Sequence, residues 1–401
     1  MCGRGEETVP AVGAAASDVV TLIYIVAGEP SGDVLGGRLM AALWQARPEL
    51  TFAGVGGPRM EERGLSSLVP MRELTVIGFL EAVPRLVRLR ALLRQIADDV
   101  IARHPAVLIT IDSPGFTLRL LRMVRRKGIV RVHYVAPQVW AWHRGRVKKF
   151  PGLWDRLLCL LPFEPEFFAA HGVPATFVGH PVLESGADAG DAARFRARYG
   201  VTADAPLLVL LPGSRRAEVT RLLPVFGEAL RLLAARMPGL VAVVPVASAV
   251  TEAVQRATSA WPVRPVVVSS DEDKHDAFAA AAAALTKSGT STLELAMAGV
   301  PMTVAYRVHP ISAAIARRIV HTRFAALVNL LAAREVVPEL LQQDCTPAKL
   351  ADALHQLVTD RTAAEAQRTA FREIVARLRP AEGTPSAAAA QAILELLPSE
   401  K

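Results

Sequence analysis

Val19-Val20-Thr21-Leu22-Ile23-Tyr24-Ile25-Val26-Ala27-Gly28-Glu29-Pro30-Ser31-Gly32-Asp33 is the stretch that decides the fold of this chain. Its first eight residues are β-branched, aromatic or leucine, the composition of a buried strand. Val34–Leu43 follows with apolar residues at helical spacing. A strand, a turn and a helix in that order form an α/β junction, whose turn points to the carboxyl edge of the sheet where ligands bind. Dinucleotide and P-loop turns at such junctions are glycine-rich and lack paired acids. This turn instead carries Glu29, Ser31 and Asp33, acceptors suited to the hydroxyl donors of a sugar. Ser31 or Asp33 alone would serve equally as a helix cap; Glu29 is not explained that way.

The same alternation extends through the chain. Strand-like runs at 20–26, 51–55, 107–111, 130–135, 156–160 and 175–178 alternate with helical patterns, and a second series follows at 207–211, 241–246, 265–268, 283–286 and 301–305. The pattern predicts an α/β protein of two parallel-sheet domains of similar size, facing each other across a cleft. The expected division is a loose extension over 1–18, a first domain over 19–185, a linker over 186–203, a second domain over 204–362, and C-terminal helices over 363–401 that pack back on the first domain or on a partner subunit.

Half of the residues are hydrophobic, yet no apolar run reaches the roughly 18–20 residues that span a bilayer. Residues 1–18 lack the basic start and apolar centre of a secretory signal. Cys2, Cys159 and Cys345 are too scattered for a disulfide framework or a zinc site. These features point to the cytoplasmic side of a membrane. The net charge of +8 is uneven: Arg85–Lys149 holds fifteen Lys/Arg against three acids, a local +12 that leaves −4 on the rest. Such a patch attracts a polyanion, be it nucleic acid, anionic lipid or a phosphorylated substrate. Within 75–99, Val76, Ile77, Phe79, Leu80, Val83 and Leu86 are interleaved with arginines, as in an interfacial membrane segment. Core packing with snorkelling arginines is the alternative.

Chemistry-bearing residues gather at four predicted strand ends. Pro212-Gly213-Ser214-Arg215 and Ser288-Gly289-Thr290 each link a strand to a helix. Backbone N–H groups there form anion sites, Arg215 can add bidentate contacts, and Glu294 one turn on can accept from a ribose. Two such loops in one domain suggest a nucleoside-diphosphate pocket. Asp112 ends the run Val107–Ile111, placed either as a general base or as a turn residue before Pro114. In Ala136–His143, Gln138, Trp140 and His143 are candidate substrate contacts. The tryptophans there would stack on a sugar, line an acyl entrance or join the core, and His143 beside Arg144 and Arg146 would meet a phosphate. Asp271-Glu272-Asp273 reads as a solvated polar loop, and no metal site is expected.

The chain resembles the lipid-A-disaccharide synthases, glycosyltransferases of the two-domain GT-B fold. The likeness rests on Ala27–Asp33, Gly54-Val55-Gly56-Gly57-Pro58, Ile111–Phe116, Ala136–Trp142, Gly179-His180-Pro181, Pro212–Arg215, Ser288–Glu294 and Asn329–Gln342. It implies two Rossmann-like domains and an inverting transfer of 2,3-diacylglucosamine from UDP to 2,3-diacylglucosamine 1-phosphate, giving a β-1,6 disaccharide without metal or cofactor. It makes Asp112 the base for the acceptor 6-hydroxyl, sets Glu29 and Asp33 near the sugars, and gives UDP to Gly213, Ser214, Arg215, Ser288, Gly289, Thr290 and Glu294. Asn329, Arg334 and Glu335 would close the pocket. It further implies a peripheral place on the anionic inner membrane, no nucleic acid, and a homodimer with exchanged C-terminal segments. Another UDP-N-acetylglucosamine enzyme of the same fold, such as an epimerase, is the rival. The family's usual Asp-Ala-Pro-Asp-Phe-Asn stands here as Asp112-Ser113-Pro114-Gly115-Phe116-Thr117, Pro30 replaces a common Ala, and Val328 replaces a Pro.

Overall fold

The computed structural model describes residues 21–74, 82–142, 144–308 and 322–397, and no side chains over 82–86. In the first half, β1 (Leu22–Ala27), β2 (Thr51–Val55), β3 (Val107–Ile111), β4 (Val130–Tyr134), β5 (Arg156–Cys159) and β6 (Ala175–Phe177) form one sheet in the order β2-β1-β3-β4-β5-β6. In the second half, β7 (Leu207–Leu211), β8 (Val241–Pro245), β9 (Val266–Val268), β10 (Ala283–Lys287), β11 (Met302–Tyr306) and β12 (Glu339–Leu341) form another, ordered β12-β11-β10-β7-β8-β9. Every pairing is parallel. The central strands are buried along their whole length, as in Val107–Ile111 and Leu207–Leu211, which is why they read as unbroken apolar runs. The α/β prediction of two parallel sheets holds. β12 escaped it because Glu339-Leu340-Leu341 is three residues long and only half-buried.

In each sheet the strand order reverses direction once. In the first, β1 leads outward to β2 on one side and the chain returns to β3 on the other; in the second, β7 leads to β8 and β9 before β10 pairs on its opposite edge. The crevice at such a reversal, outside the carboxyl ends of the strands, is where open α/β sheets bind ligands.

Around the first sheet lie α1 (Pro30–Ala46), α2 (Pro58–Glu61), α3 (Ala82–Arg103) and α4 (Pro114–Met123). α1 begins four residues earlier than the periodicity suggested. Pro30 at the first helical position supplies a preset φ and no N–H to satisfy, so Ser31 and Asp33 belong to the first turn rather than to a loop.

Residues 186–203 connect the two sheets and carry the helix Ala192–Tyr199, capped by the Asp191 carboxylate. Arg194 of that helix pairs with Asp276 at 2.5 Å and Arg198 pairs with Asp273 at 3.0 Å. The expectation of a solvated loop at Asp271–Asp273 is therefore corrected: these acids open the helix Asp271–Ala280, where the N-terminal dipole favours them, and Asp273 is buried. Late in the chain, the helix Arg361–Arg377 lies on the second sheet, with the Gln367 amide bonded to both backbone groups of Met302. The chain then crosses back: the His180 N–H donates to the Leu378 carbonyl at 3.0 Å. The helix Pro385–Leu394 packs Ala389, Ala390 and Ile393 with Leu39, Met40 and Leu43 of α1. No helix of the described residues is long and apolar enough to cross a membrane.

Candidate active site

Asp112 and Glu29 meet at the reversal of the first sheet. Asp112 follows β3 directly, with its N–H donating to the Tyr134 carbonyl at 2.9 Å. Asp112 and Ser113 both adopt left-handed backbone, φ +49° and +46°. Two consecutive non-glycine residues in that region hold conformational strain of the kind that clusters at functional sites. Val135, just past β4, adds a third such residue at φ +79°. The turn is pinned by the Thr117 hydroxyl, which donates to the carbonyls of Asp112 at 2.8 Å and Ser113 at 3.0 Å. Thr117 thus anchors the backbone of the Asp112-Ser113 turn. Just past β1, Gly28 lies so close that a Cβ there would sit 2.9 Å from the Ser113 hydroxyl oxygen, so any larger residue would have to displace the Ser113 side chain. The half-buried Glu29 caps α1 through its backbone, and its side chain makes no hydrogen bond to that helix start. Burial, and then the charge of Glu29, raise the Asp112 carboxyl above the ordinary range, while the Ser113 N–H and the Arg215 guanidinium pull it down.

The second sheet's reversal brings together Pro212–Arg215 after β7 and Ser288–Thr290 after β10. Gly213 has φ +113°, and a Cβ there would collide with the Glu218 side chain. Glu218 accepts the Arg215 N–H at 3.3 Å and pairs with Lys287 at 3.1 Å, so one carboxylate bolts the two loops together. The Ser288 hydroxyl donates to the Ala325 carbonyl at 2.6 Å. The Ala325 and Ala326 N–H groups donate in turn to Glu339 at 2.8 and 2.9 Å. Ser214, Arg215 and Thr290 remain exposed at this edge, beside the N-termini of the helices Arg216–Ala234 and Ser291–Met297. Because Arg215 acts on Asp112, the two reversals face each other across one cleft.

Several expected contacts are used elsewhere in the fold. Asp33 is buried, and its two carboxylate oxygens accept the N–H groups of Gly57 at 2.8 Å, Arg59 at 3.0 Å and Met60 at 3.1 Å. It holds the Gly56-Gly57-Pro58 turn and starts α2. Asn329 is fully buried: its amide donates to the Val337 carbonyl and to Glu339, and its oxygen accepts the Val336 and Val337 N–H groups. It shapes the turn before β12 and cannot also close a pocket. Arg334 and Glu335 lie in that turn, at the amino end of β12, lining a separate cavity with Gln367; the structure does not bring them to the Ser288 edge. Trp140 is core, its Nε1–H donating to Glu164 at 3.0 Å and its ring edge-on to Phe163. Glu294 pairs with Lys274 at 3.2 Å. Ser31, Gln138 and Trp142 are exposed. Val76, Ile77, Phe79, Leu80 and His143 fall outside the described residues, as do the side chains of Val83 and Leu86.

Four residues escaped the sequence reading. Glu218 and Lys287 flank the two predicted turns with no role assigned, although Glu218 stands three residues past a Gly-Ser-Arg turn, the position from which Glu reaches back to a helix start. Glu339 and Glu164 carry no local signal. Glu164 is buried and accepts the N–H groups of Leu160, Leu161 and the Trp140 ring. Burial raises it to about 7 against those three donors.

Two parallel sheets, each presenting its reversal loops to a shared cleft, define an α/β fold of the GT-B class. Solved structures carry the same fold. UDP-GlcNAc 2-epimerase from Neisseria meningitidis bound to UDP-GlcNAc aligns with a TM-score of 0.61 at 11% identity, over 94% of this chain and 98% of that one. A calicheamicin glycosyltransferase aligns with a TM-score of 0.59 at 18% identity, over 94% and 98%. The lipid-A-disaccharide synthetase family model matches residues 23–393. The lipid-A-disaccharide synthase of Granulibacter bethesdensis is 57% identical over 94% of this chain and 98% of its own, and that of Gluconobacter oxydans 56% over 94% and 91%. The chain belongs to the lipid-A-disaccharide synthase family.

Proposed function

We propose that this protein is an inverting glycosyltransferase that moves 2,3-diacylglucosamine from UDP to the 6-hydroxyl of 2,3-diacylglucosamine 1-phosphate, releasing UDP. The observation that carries the reading is the opposition of Asp112 and Glu29 at one reversal to the Pro212–Arg215 and Ser288–Thr290 loops at the other. UDP lies on the second sheet, its diphosphate against the backbone N–H groups of the two loops and the Arg215 guanidinium. The Asp112 carboxylate takes the proton of the acceptor hydroxyl. The hydroxyl oxygen attacks the anomeric carbon from the face opposite UDP, and the carbon–oxygen bond to the diphosphate breaks with its electron pair. The raised Asp112 carboxyl is better matched to this proton than an ordinary carboxylate, and the fixed donors and Arg215 stabilise the charge growing on the leaving group. Glu29 adjusts the charge at Asp112 and accepts from the acceptor sugar.

We assign the enzyme a peripheral place on the anionic inner-membrane surface. In support, Val87 and Trp142 are exposed apolar side chains, and Arg88 and Arg90 stand exposed on α3 close to the first of them in sequence. A homodimer with exchanged C-terminal segments is also proposed. The crossing after Leu378 is the place where the helix Pro385–Leu394 would pass to the α1 of a second copy, and light scattering on the purified protein tests it.

The deciding experiment supplies both lipid substrates in detergent micelles. Disaccharide and UDP in equal amounts are expected; their absence overturns the reading. An epimerase would instead interconvert UDP-N-acetylglucosamine with no acceptor present. That rival rests on a likeness of fold at 11% identity, whereas the transferase reading rests on whole-length family membership.

A further inference from the structure

Between α3 and α4 lies a groove of about 130 Å³, lined by Leu89 and Leu93 from one helix, Phe116 from the other, and Arg90 and Arg119. Its place follows from periodicity. Leu89 and Leu93 are one turn apart on α3, and Phe116 and Arg119 share a face of α4. α4 starts two residues after Asp112, so at 1.5 Å per residue Arg119 stands roughly 10 Å along the helix from the base. α4 thus links the groove to the Asp112 turn.

Its charge is uncompensated. On α3, Arg88 pairs with Glu73 at 2.9 Å and Arg103 with Asp99 at 3.0 Å. Arg90 and Arg119 have no ion-pair partner among the described residues, and both are exposed. An apolar floor flanked by two free guanidiniums matches an amphiphile with a phosphate head. The volume suits a phosphate and the first methylenes of a chain.

We infer that this groove is the subsite for the phosphomonoester of the acylated sugar acceptor, with Arg90 and Arg119 on the phosphate and Leu89, Leu93 and Phe116 under the base of an acyl chain. The inference rests on the transferase reading above and adds specificity to it. A hexosamine whose 6-hydroxyl meets Asp112 carries its 1-phosphate just across the ring oxygen, a separation that the long Arg119 side chain would bridge from α4. Both arginines would then select a phosphorylated acceptor over its dephosphorylated form.

The test uses Arg90→Gln, Arg119→Gln and the double variant, in micelles of neutral detergent, with Arg94→Gln as a control for an unpaired neighbour on the same helix. For the phosphorylated acceptor, KM is expected to rise by about tenfold or more in the double variant, the loss of two charge-assisted contacts at a partly solvated site. The KM of the UDP-sugar donor and the unfolding midpoint stay as in the wild type, and Arg94→Gln changes nothing. Wild type given a dephosphorylated acceptor shows the same rise, and the double variant adds no further loss there. Unchanged acceptor KM in the variants, or equal loss on both acceptors, overturns the subsite. So does a loss seen only with anionic vesicles, which would assign the arginines to a bilayer surface. Calorimetric binding of the phosphorylated glycolipid in the same micelles reads the subsite without turnover. If wild type makes no disaccharide yet binds this lipid through the two arginines, the transferase reading fails and the phosphate subsite stands.

Discussion

The two strand-order reversals have the same topology and opposite electrostatics. At the first, Asp112 and Glu29 are two carboxylates with no cation from their own sheet, and burial and mutual charge push Asp112 upward. At the second, Glu218 and Lys287 compensate each other internally, while Arg215 and the helix N-termini are left facing outward. One side is built to accept a proton and the other to receive negative charge. Each is incomplete alone: among the described residues, the cation acting on Asp112 comes from across the cleft. A shared fold supplies the crevice, and side chains at four strand ends supply its polarity.

That contrast is easiest to break at its centre. Asp112→Asn is expected to lower kcat by roughly 10²–10⁴ while leaving UDP binding by calorimetry intact; wild-type turnover would remove Asp112 as the base. Arg215→Gln attacks the other side. It should cost roughly 10²–10³ in kcat/KM through lost stabilisation of the leaving diphosphate. It should also move the acidic limb of the pH–rate profile to higher pH, because the guanidinium that lowers the Asp112 carboxyl is gone.

A third carboxylate sharpens the comparison by failing to belong to it. Asp33 sits four residues from Glu29, yet it accepts three backbone N–H groups. Asp33→Ala leaves those donors unsatisfied and should destabilise the fold by about 2–3 kcal/mol in urea unfolding, whereas Asp112→Asn should not. The smallest effect is expected from Glu29→Gln, a few-fold in kcat/KM with the acidic limb displaced to lower pH. Removing a carboxylate that raises its neighbour makes the base easier to ionise, so activity persists further into acid. A shift in the same direction as Arg215→Gln would contradict the opposed roles of the two residues.

Much of this was legible beforehand. Eleven of the twelve strands stand where apolar runs predicted them, because buried parallel strands need continuous hydrophobic residues and announce themselves locally. Asp112, Glu29, Gly213 and Arg215 stand at the strand ends where they were expected for a related reason: strand–turn–helix junctions place their turns at the carboxyl edge of the sheet. The misreadings share a different cause. Asp33, Asn329 and Trp140 are polar or aromatic residues in conspicuous motifs, and the motif does not say which way a side chain turns. All three face inward, Asp33 toward a backbone turn 24–27 residues away, Asn329 toward the turn before β12, and Trp140 toward Glu164. Arg334 and Glu335 sit close in sequence to residues that reach the site, but the helix Leu327–Ala332 carries them to the other edge of the sheet.

By itself, then, the chain carried its family in the motifs that resemble it, and its order of apolar and polar residues determined two parallel sheets and the turns at their strand ends. Those follow from local periodicity and from turn chemistry, which depend on residues a few positions apart. Only the tertiary structure decided which carboxylates are taken up by backbone N–H groups, that Glu218 and Glu339 hold the loops at the second reversal, and that Arg215 acts on Asp112. Burial, hydrogen-bond satisfaction and Coulomb interaction act between groups brought close in space, and here those groups lie up to a hundred residues apart along the chain.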